Sequence, residues 1–173
     1  MDTRIRPATL ADLFWLRLLL GQLFEEMPAA YPSPSSRDLE AQTAILASRL
    51  ASEDPAMICY VAEHEKVIVG FMLGDVLNRI ARPHCYFFLS FFYVVPPARC
   101  QGVGRRLSTS MLQAAMQRGA EVCEFVAQAG DKQWRHRGWA TVGIVHALPT
   151  DAAGATLAVA DHDHPNGDSK VTA

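Results

Sequence analysis

The stretch Val94-Val95-Pro96-Pro97-Ala98-Arg99-Cys100-Gln101-Gly102-Val103-Gly104-Arg105-Arg106-Leu107 holds the residues best suited to chemistry. An apolar strand runs into a glycine-containing turn, and the turn opens a helix. The first amides of a helix have no internal partner. The macrodipole adds partial positive charge in front of them. Together these favour an anion, above all a phosphate. Gly102 and Gly104 carry no side chains to hold phosphate oxygens away, and Arg99, Arg105 and Arg106 add cationic charge nearby. A nucleoside triphosphate or a dinucleotide fits poorly. The G-x-x-x-x-G-K-[ST] pattern is absent, and Leu107 stands where a third spaced glycine would be. A loop that merely turns the chain is the plainer reading; the strand–turn–helix context weighs against it.

Other candidate groups are weaker. Cys100 sits where a helix N-terminus and arginines would lower a thiol pKa, though a small loop residue facing away is the simpler reading. Asp161-His162-Asp163-His164 could bind a metal, but reads as part of a polar tail, so no metal site is expected. The aromatic run Tyr86–Tyr93 could stack bases, yet its near-continuous apolarity favours core.

The elements that must position the loop follow from periodicity. Residues 4–8 read as a short strand. Thr9 is placed to cap a helix whose apolar stripe is Leu13, Leu16, Leu20, Leu23 and Met27. Prolines make 28–36 a loop. A second helix starts near Ser36, with Leu39, Thr43, Leu46 and Leu50 facing inward. Residues 57–63 and 67–75 form a hairpin about His64-Glu65-Lys66, and 84–95 a central strand buried on both faces. Val103, Leu107, Met111 and Ala114 mark the helix after the loop, and Gly119 ends it. A strand over 121–127, a short helix over 131–137, and strands over 139–148 and 155–160 complete the order. The class is α/β or α+β, a mixed sheet with helices on both faces.

The chain has 173 residues, enough for one domain with a substantial core. We expect that domain over 1–160, with a flexible polar tail over 161–173. A net charge of −2 weighs against a general nucleic-acid binder, although thirteen of the sixteen cations are arginine, which suits phosphate contacts. The start, MDTRIRPATLADL, has no signal-peptide core, and Tyr86–Pro97 is too short for a membrane helix. Four scattered cysteines suggest free thiols and a cytoplasmic location.

The pattern V-x-P-x-x-R-x-x-G-x-G (Val94, Pro96, Arg99, Gly102, Gly104) resembles motif A of the GNAT acyl-CoA N-acyltransferases. The likeness extends over roughly residues 3–148. IRPAT-LADL looks like the family's first strand and helix, VAEHEKVIVGFMLGD like its second and third strands, and RHRGW (135–139) like its late G-F/W motif. The resemblance implies a mixed, mostly antiparallel sheet of roughly six to seven strands. It implies acetyl-coenzyme A as co-substrate. The backbones of Arg99, Cys100, Gln101, Gly102, Val103 and Gly104, with Arg105, would hold the diphosphate. Main-chain groups of Phe92, Tyr93 and Val94 would pair with the pantetheine arm at a bulge in the strand, and one such amide could polarise the thioester carbonyl.

The implied reaction is direct attack of a neutral primary amine, of a small molecule or a peptide, on the thioester. A base must first take its proton. The family's usual base positions are Phe88 and Ser90 here, neither convincing; Ser90 and Tyr93 are the catalytic candidates, with Glu25, Glu26 and His84 also within conceivable reach. Trp134 stands where many members carry a Tyr acid, and an indole cannot supply a proton at neutral pH. A non-catalytic acyl-CoA-binding or regulatory module is therefore the alternative, and a binding domain for nucleotides or anionic partners lies outside the family. No nucleic-acid or membrane partner is expected, and a homodimer is left open.

Overall fold

The computed structural model describes residues 2–27, 35–78 and 85–125. His84, Trp134, Trp139, the strands expected beyond 127 and the expected tail lie outside the described residues. The described strands are β1 (Arg4–Pro7), β2 (Met57–His64), β3 (Val67–Leu77), β4 (Tyr86–Val94) and β5 (Val122–Phe125). They form one sheet in sequence order. β1, β2, β3 and β4 pair antiparallel, and β4 pairs with β5 in parallel. The helices are α1 (Leu13–Glu26), α2 (Ser36–Ala51) and α3 (Val103–Gln117).

Local chemistry sets the boundaries. Asp38 Oδ2 accepts from the Ser35 N–H at 2.7 Å, and Ser35 Oγ accepts from the Asp38 N–H at 3.2 Å, a reciprocal cap that starts α2. α1 begins later than its Thr9 signal suggests, because Leu10–Asp12 form a 3-10 turn first. Gly119, at φ 86°, ends α3; its N–H donates to Met116 O, and the Ala120 N–H to Ala115 O. The β2–β3 turn is Glu65-Lys66, both at positive φ (49° and 67°), the conformation a two-residue hairpin needs. Neither residue favours it, so the buried strands on either side impose it.

The sheet is covered on both faces, as expected. On one side Leu16, Leu19 and Leu20 of α1 and Leu46 of α2 pack on Val61, Phe71, Leu73 and Tyr93. On the other, Val103, Leu107, Met111 and Ala115 of α3 pack on Ile58, Met72, Phe87, Leu89 and Val94. The α3 stripe ends at buried Ala115 and not at half-buried Ala114, since it advances by four throughout.

β4 changes phase in its middle. Leu73 pairs with Phe91 and Gly74 with Leu89, so Ser90 is an extra, unpaired residue. A bulge of this kind exchanges the faces of everything beyond it. Phe87 and Leu89 accordingly join the α3 core, while Phe91 and Tyr93 join the α1/α2 side. Gly74 makes the bulge possible: a Cβ there would lie 2.4 Å from Phe87 Cζ and from the Phe88 carbonyl. The expectation of burial on both faces holds along most of β4 but not at Ser90, which is exposed.

Candidate functional site

β4 leads through a 3-10 turn, Pro96–Ala98, into the glycine loop. The Arg99 N–H donates to Pro96 O, and Cys100 and Gly102 both take positive φ (60° and 77°). Gly102 is the N-cap of α3, and the helical ladder opens with the Arg106 N–H donating to Gly102 O at 3.1 Å. Among the described residues, the amides of Gly102, Val103, Gly104 and Arg105 have no acceptor. These are the orphan donors of a helix start. A Cβ on Gly102 would meet nothing within 4 Å among the described residues.

The two glycines have different roles. Gly102 supplies the left-handed turn and the clearance. A Cβ on Gly104 would lie 2.9 Å from Phe92 Cζ, so this glycine lets the Phe92 ring rest against the start of α3. The arginines also divide. Arg105 is exposed, with no side-chain partner among the described residues. Arg106 donates to Thr3 O at 2.8 Å and so ties α3 to the N-terminal segment. Arg99 donates from Nε to Val94 O at 2.8 Å and from its terminal nitrogen to Glu26 at 2.6 Å, with its guanidinium 5.3 Å from the Tyr93 ring centre. Two of the three cations expected at the loop are thus engaged elsewhere. Cys100 is exposed, and the Gln101 side chain folds back onto Pro97 O.

Tyr93 donates its phenolic hydrogen to Glu26 at 2.7 Å. Burial, then the bond to Glu26, pushes the Tyr93 pKa up to about 12. At neutral pH the phenol keeps its proton, so Tyr93 is a hydrogen-bond donor and not a base. Its donated bond, then that of Arg99, holds the Glu26 carboxyl below the usual carboxylate range, which makes Glu26 a weak base in this arrangement. Glu26 and Tyr93, with Gln22, Glu25, Val95, Pro96 and Pro97, line an open cleft of about 410 Å³ between the end of α1 and the loop.

Ser90 lies in a second cleft, of about 140 Å³, with Gln42, Ile45, Leu46, Arg49, Met57, Leu73, Asp75 and Phe91. The two catalytic candidates, Ser90 and Tyr93, therefore belong to separate clefts. The β4–β5 pairing is described from Tyr86–Val122 to Leu89–Phe125, and β4 continues from Ser90 to Val94, the segment containing Phe92, Tyr93 and Val94. Asp75 and Arg49 are polar residues of this region that sequence reasoning missed. Arg49 bonds both Asp54 and Asp75. Each lies on a different element, and no spacing rule connects them.

The model of the Acetyltransferase (GNAT) family matches residues 19–143. This chain belongs to that family. Comparison with curated proteins finds no match. Among solved structures, a GCN5-related N-acetyltransferase from Ralstonia eutropha is similar, at TM-score 0.70 and 19% identity over 85% of this chain and 99% of the other. The glucosamine-6-phosphate N-acetyltransferase of Arabidopsis thaliana aligns at TM-score 0.66 and 15% identity, covering 87% of this chain and 100% of its own. A predicted acetyltransferase from Clostridium acetobutylicum, solved with acetyl-CoA, aligns at TM-score 0.70 and 16% identity, covering 86% of this chain and 96% of its own. These likenesses show the GNAT fold, a mixed α+β architecture. Acetyl transfer is the general chemistry of the family. Among the described residues no helix is long and apolar enough to cross a membrane.

Proposed function

We propose that this GNAT protein transfers the acetyl group of acetyl-coenzyme A to a primary amine of a small molecule or peptide, by direct attack of the amine. The observation that carries the reading is the row of amides from Gly102 to Arg105 at the start of α3, which have no acceptor among the described residues. That donor set fits a diphosphate: several N–H groups, a helix dipole and the exposed Arg105, with no carboxylate in the loop itself. In this reading the backbones of Arg99, Cys100, Gln101, Gly102, Val103 and Gly104 hold the diphosphate. Main-chain groups of Phe92, Tyr93 and Val94 hold the pantetheine arm. Acetyl-coenzyme A supplies an acyl group already activated as a thioester.

The chain's own groups orient and exclude. Tyr93 and Phe91 close the sheet face behind the arm, and Glu26 fixes the Tyr93 hydroxyl. The amine must lose a proton before it attacks. Neither Ser90 nor Tyr93 is a base at neutral pH, so that proton leaves through water. A departing thiolate, with an ordinary pKa of about 8.5, needs little help. The amino sugar named for the Arabidopsis enzyme supports a small-molecule acceptor. We place the activity in one domain over residues 1–160 and, from the scattered cysteines, in the cytoplasm. The second reading, acyl-CoA binding without turnover, draws on Trp134 at the usual Tyr position.

Calorimetric titration with coenzyme A, followed by thiol release from acetyl-coenzyme A across an amine panel, separates these readings. Binding with turnover supports transfer. Binding without turnover supports the second reading, and absence of binding contradicts both.

A further inference from the structure

We infer that Gln22 binds the pantetheine arm of the cofactor: its side-chain carbonyl oxygen, Oε1, accepts the arm's amide N–H nearer the diphosphate. This deepens the acetyl-transfer reading and rests on it. The first observation is an orphan acceptor. Gln22 Oε1 is buried and has no hydrogen-bond partner among the described residues. A carbonyl oxygen shut away from water without a donor carries a desolvation cost, and native proteins keep few such groups. Gln22 lies near the end of α1 and lines the larger cleft, facing Tyr93, Val95 and the two prolines of the β4–α3 connection.

The second observation concerns that facing wall, where the main chain is already engaged. The Val95 N–H donates to Val69 O, and the Ala98 and Arg99 N–H groups donate to Val95 O and Pro96 O. Val94 O accepts from Arg99 Nε, and Pro97 O accepts from the Gln101 side chain. Pro96 and Pro97 have no N–H to offer. An arm that pairs with Phe92–Val94 at its thiol end and reaches the loop at its diphosphate end must cross this stretch. Each of the four carbonyls from Val94 to Pro97 already holds a donor, so the amide that crosses here needs a side-chain acceptor.

The polar side chains of the cleft leave one. Glu26 accepts from Tyr93 on one oxygen and from Arg99 on the other. Glu25 is exposed to water. Gln22 Oε1 is the acceptor that an incoming donor relieves. Turning it toward the arm breaks no hydrogen bond, so the contact costs only side-chain rotamer freedom.

The test compares the wild type with Gln22→Met, which keeps the length of the side chain and removes the carbonyl. Calorimetry measures the Kd of coenzyme A and of adenosine 3′,5′-bisphosphate, which lacks the arm. Loss of one neutral hydrogen bond should raise the Kd of coenzyme A about fivefold. The Kd of the bisphosphate should stay within twofold. In the 15N-labelled wild type, the side-chain amide resonances of Gln22, assigned by their disappearance in Gln22→Met, should shift saturably with coenzyme A and not with the bisphosphate. The inference is overturned if Gln22→Met leaves the Kd of coenzyme A within twofold, if it weakens both ligands equally, or if the Gln22 resonances stay still as coenzyme A saturates the wild type. Failure of the wild type to bind coenzyme A overturns instead the reading beneath it.

Discussion

Tyr93 Oη donates a 2.7 Å hydrogen bond to Glu26, joining the central strand to the last turn of α1 across 67 residues of sequence. Arg99 takes the other carboxylate oxygen and binds the Tyr93 edge of the same strand through Val94 O. The loop, the strand and the helix end are thus coupled through one carboxylate. Replacing Glu26 by Gln removes the anion and weakens the acceptor, both of which hold the Tyr93 pKa up. Spectroscopic titration of tyrosinate, with Tyr93→Phe to assign the signal, should show Tyr93 ionising at lower pH in Glu26→Gln than in the wild type. An unchanged titration would mean that the bond does not persist in solution.

Asp12 anchors the other end of α1. It accepts two bonds from the Arg6 guanidinium, at 2.7 and 2.8 Å, and one from the Thr9 N–H at 2.8 Å, and its side chain is 7% exposed. The bonds from Arg6, above all, hold its pKa below the ordinary value. A depressed carboxylate contributes stability that is complete above its unfolded pKa of about 3.9 and is lost as pH falls through the folded value. Asp12→Asn should therefore cost on the order of 2 kcal/mol near pH 7. That difference should shrink steadily below about pH 4. Urea unfolding at neutral and acid pH measures both, and a pH-independent difference would assign the loss to packing.

The bulge makes a sharper prediction. Gly74→Ala would put a methyl 2.4 Å from Phe87 Cζ and from the Phe88 carbonyl. The ring can yield, but the carbonyl belongs to the backbone of β4. Overpacking of this kind costs about 1–3 kcal/mol. The variant should lose that much by chemical denaturation, and Gly21→Ala, whose Cβ would sit 3.5 Å from Leu39 Cδ2, should not. Equal effects at both positions would remove the case for the bulge.

These positions also show what could be read in advance. The three described helices were legible because their buried residues recur at three and four. The loop was legible because a strand, two glycines and a helix lie in one continuous stretch. The family resemblance implied a bulge in this strand, but its place at Ser90 was not legible: in a strand apolar at nearly every position, an extra residue leaves no mark, and its trace is a glycine on the neighbouring strand. The polar couplings Glu26–Tyr93, Glu26–Arg99 and Arg49–Asp75 were hidden for another reason. They join residues 67, 73 and 26 positions apart, so only the packing of the helices on the sheet brings them together.

At the loop, Gly102→Glu should abolish coenzyme A binding. It forces a side chain into the left-handed region, at about 1 kcal/mol, and places a carboxylate before the free amides. Gly102→Asn tolerates the conformation and carries no charge, so it should weaken binding far less. Calorimetry on both variants separates loop strain from charge; equal losses would point to strain alone.

The most direct measurement follows the amides themselves. Adding coenzyme A to the 15N-labelled protein should shift the resonances of Gly102, Val103, Gly104 and Arg105 saturably, with one common Kd. Shifts confined to other residues, or saturation that leaves those four unmoved, would contradict the placing of a diphosphate at the start of α3.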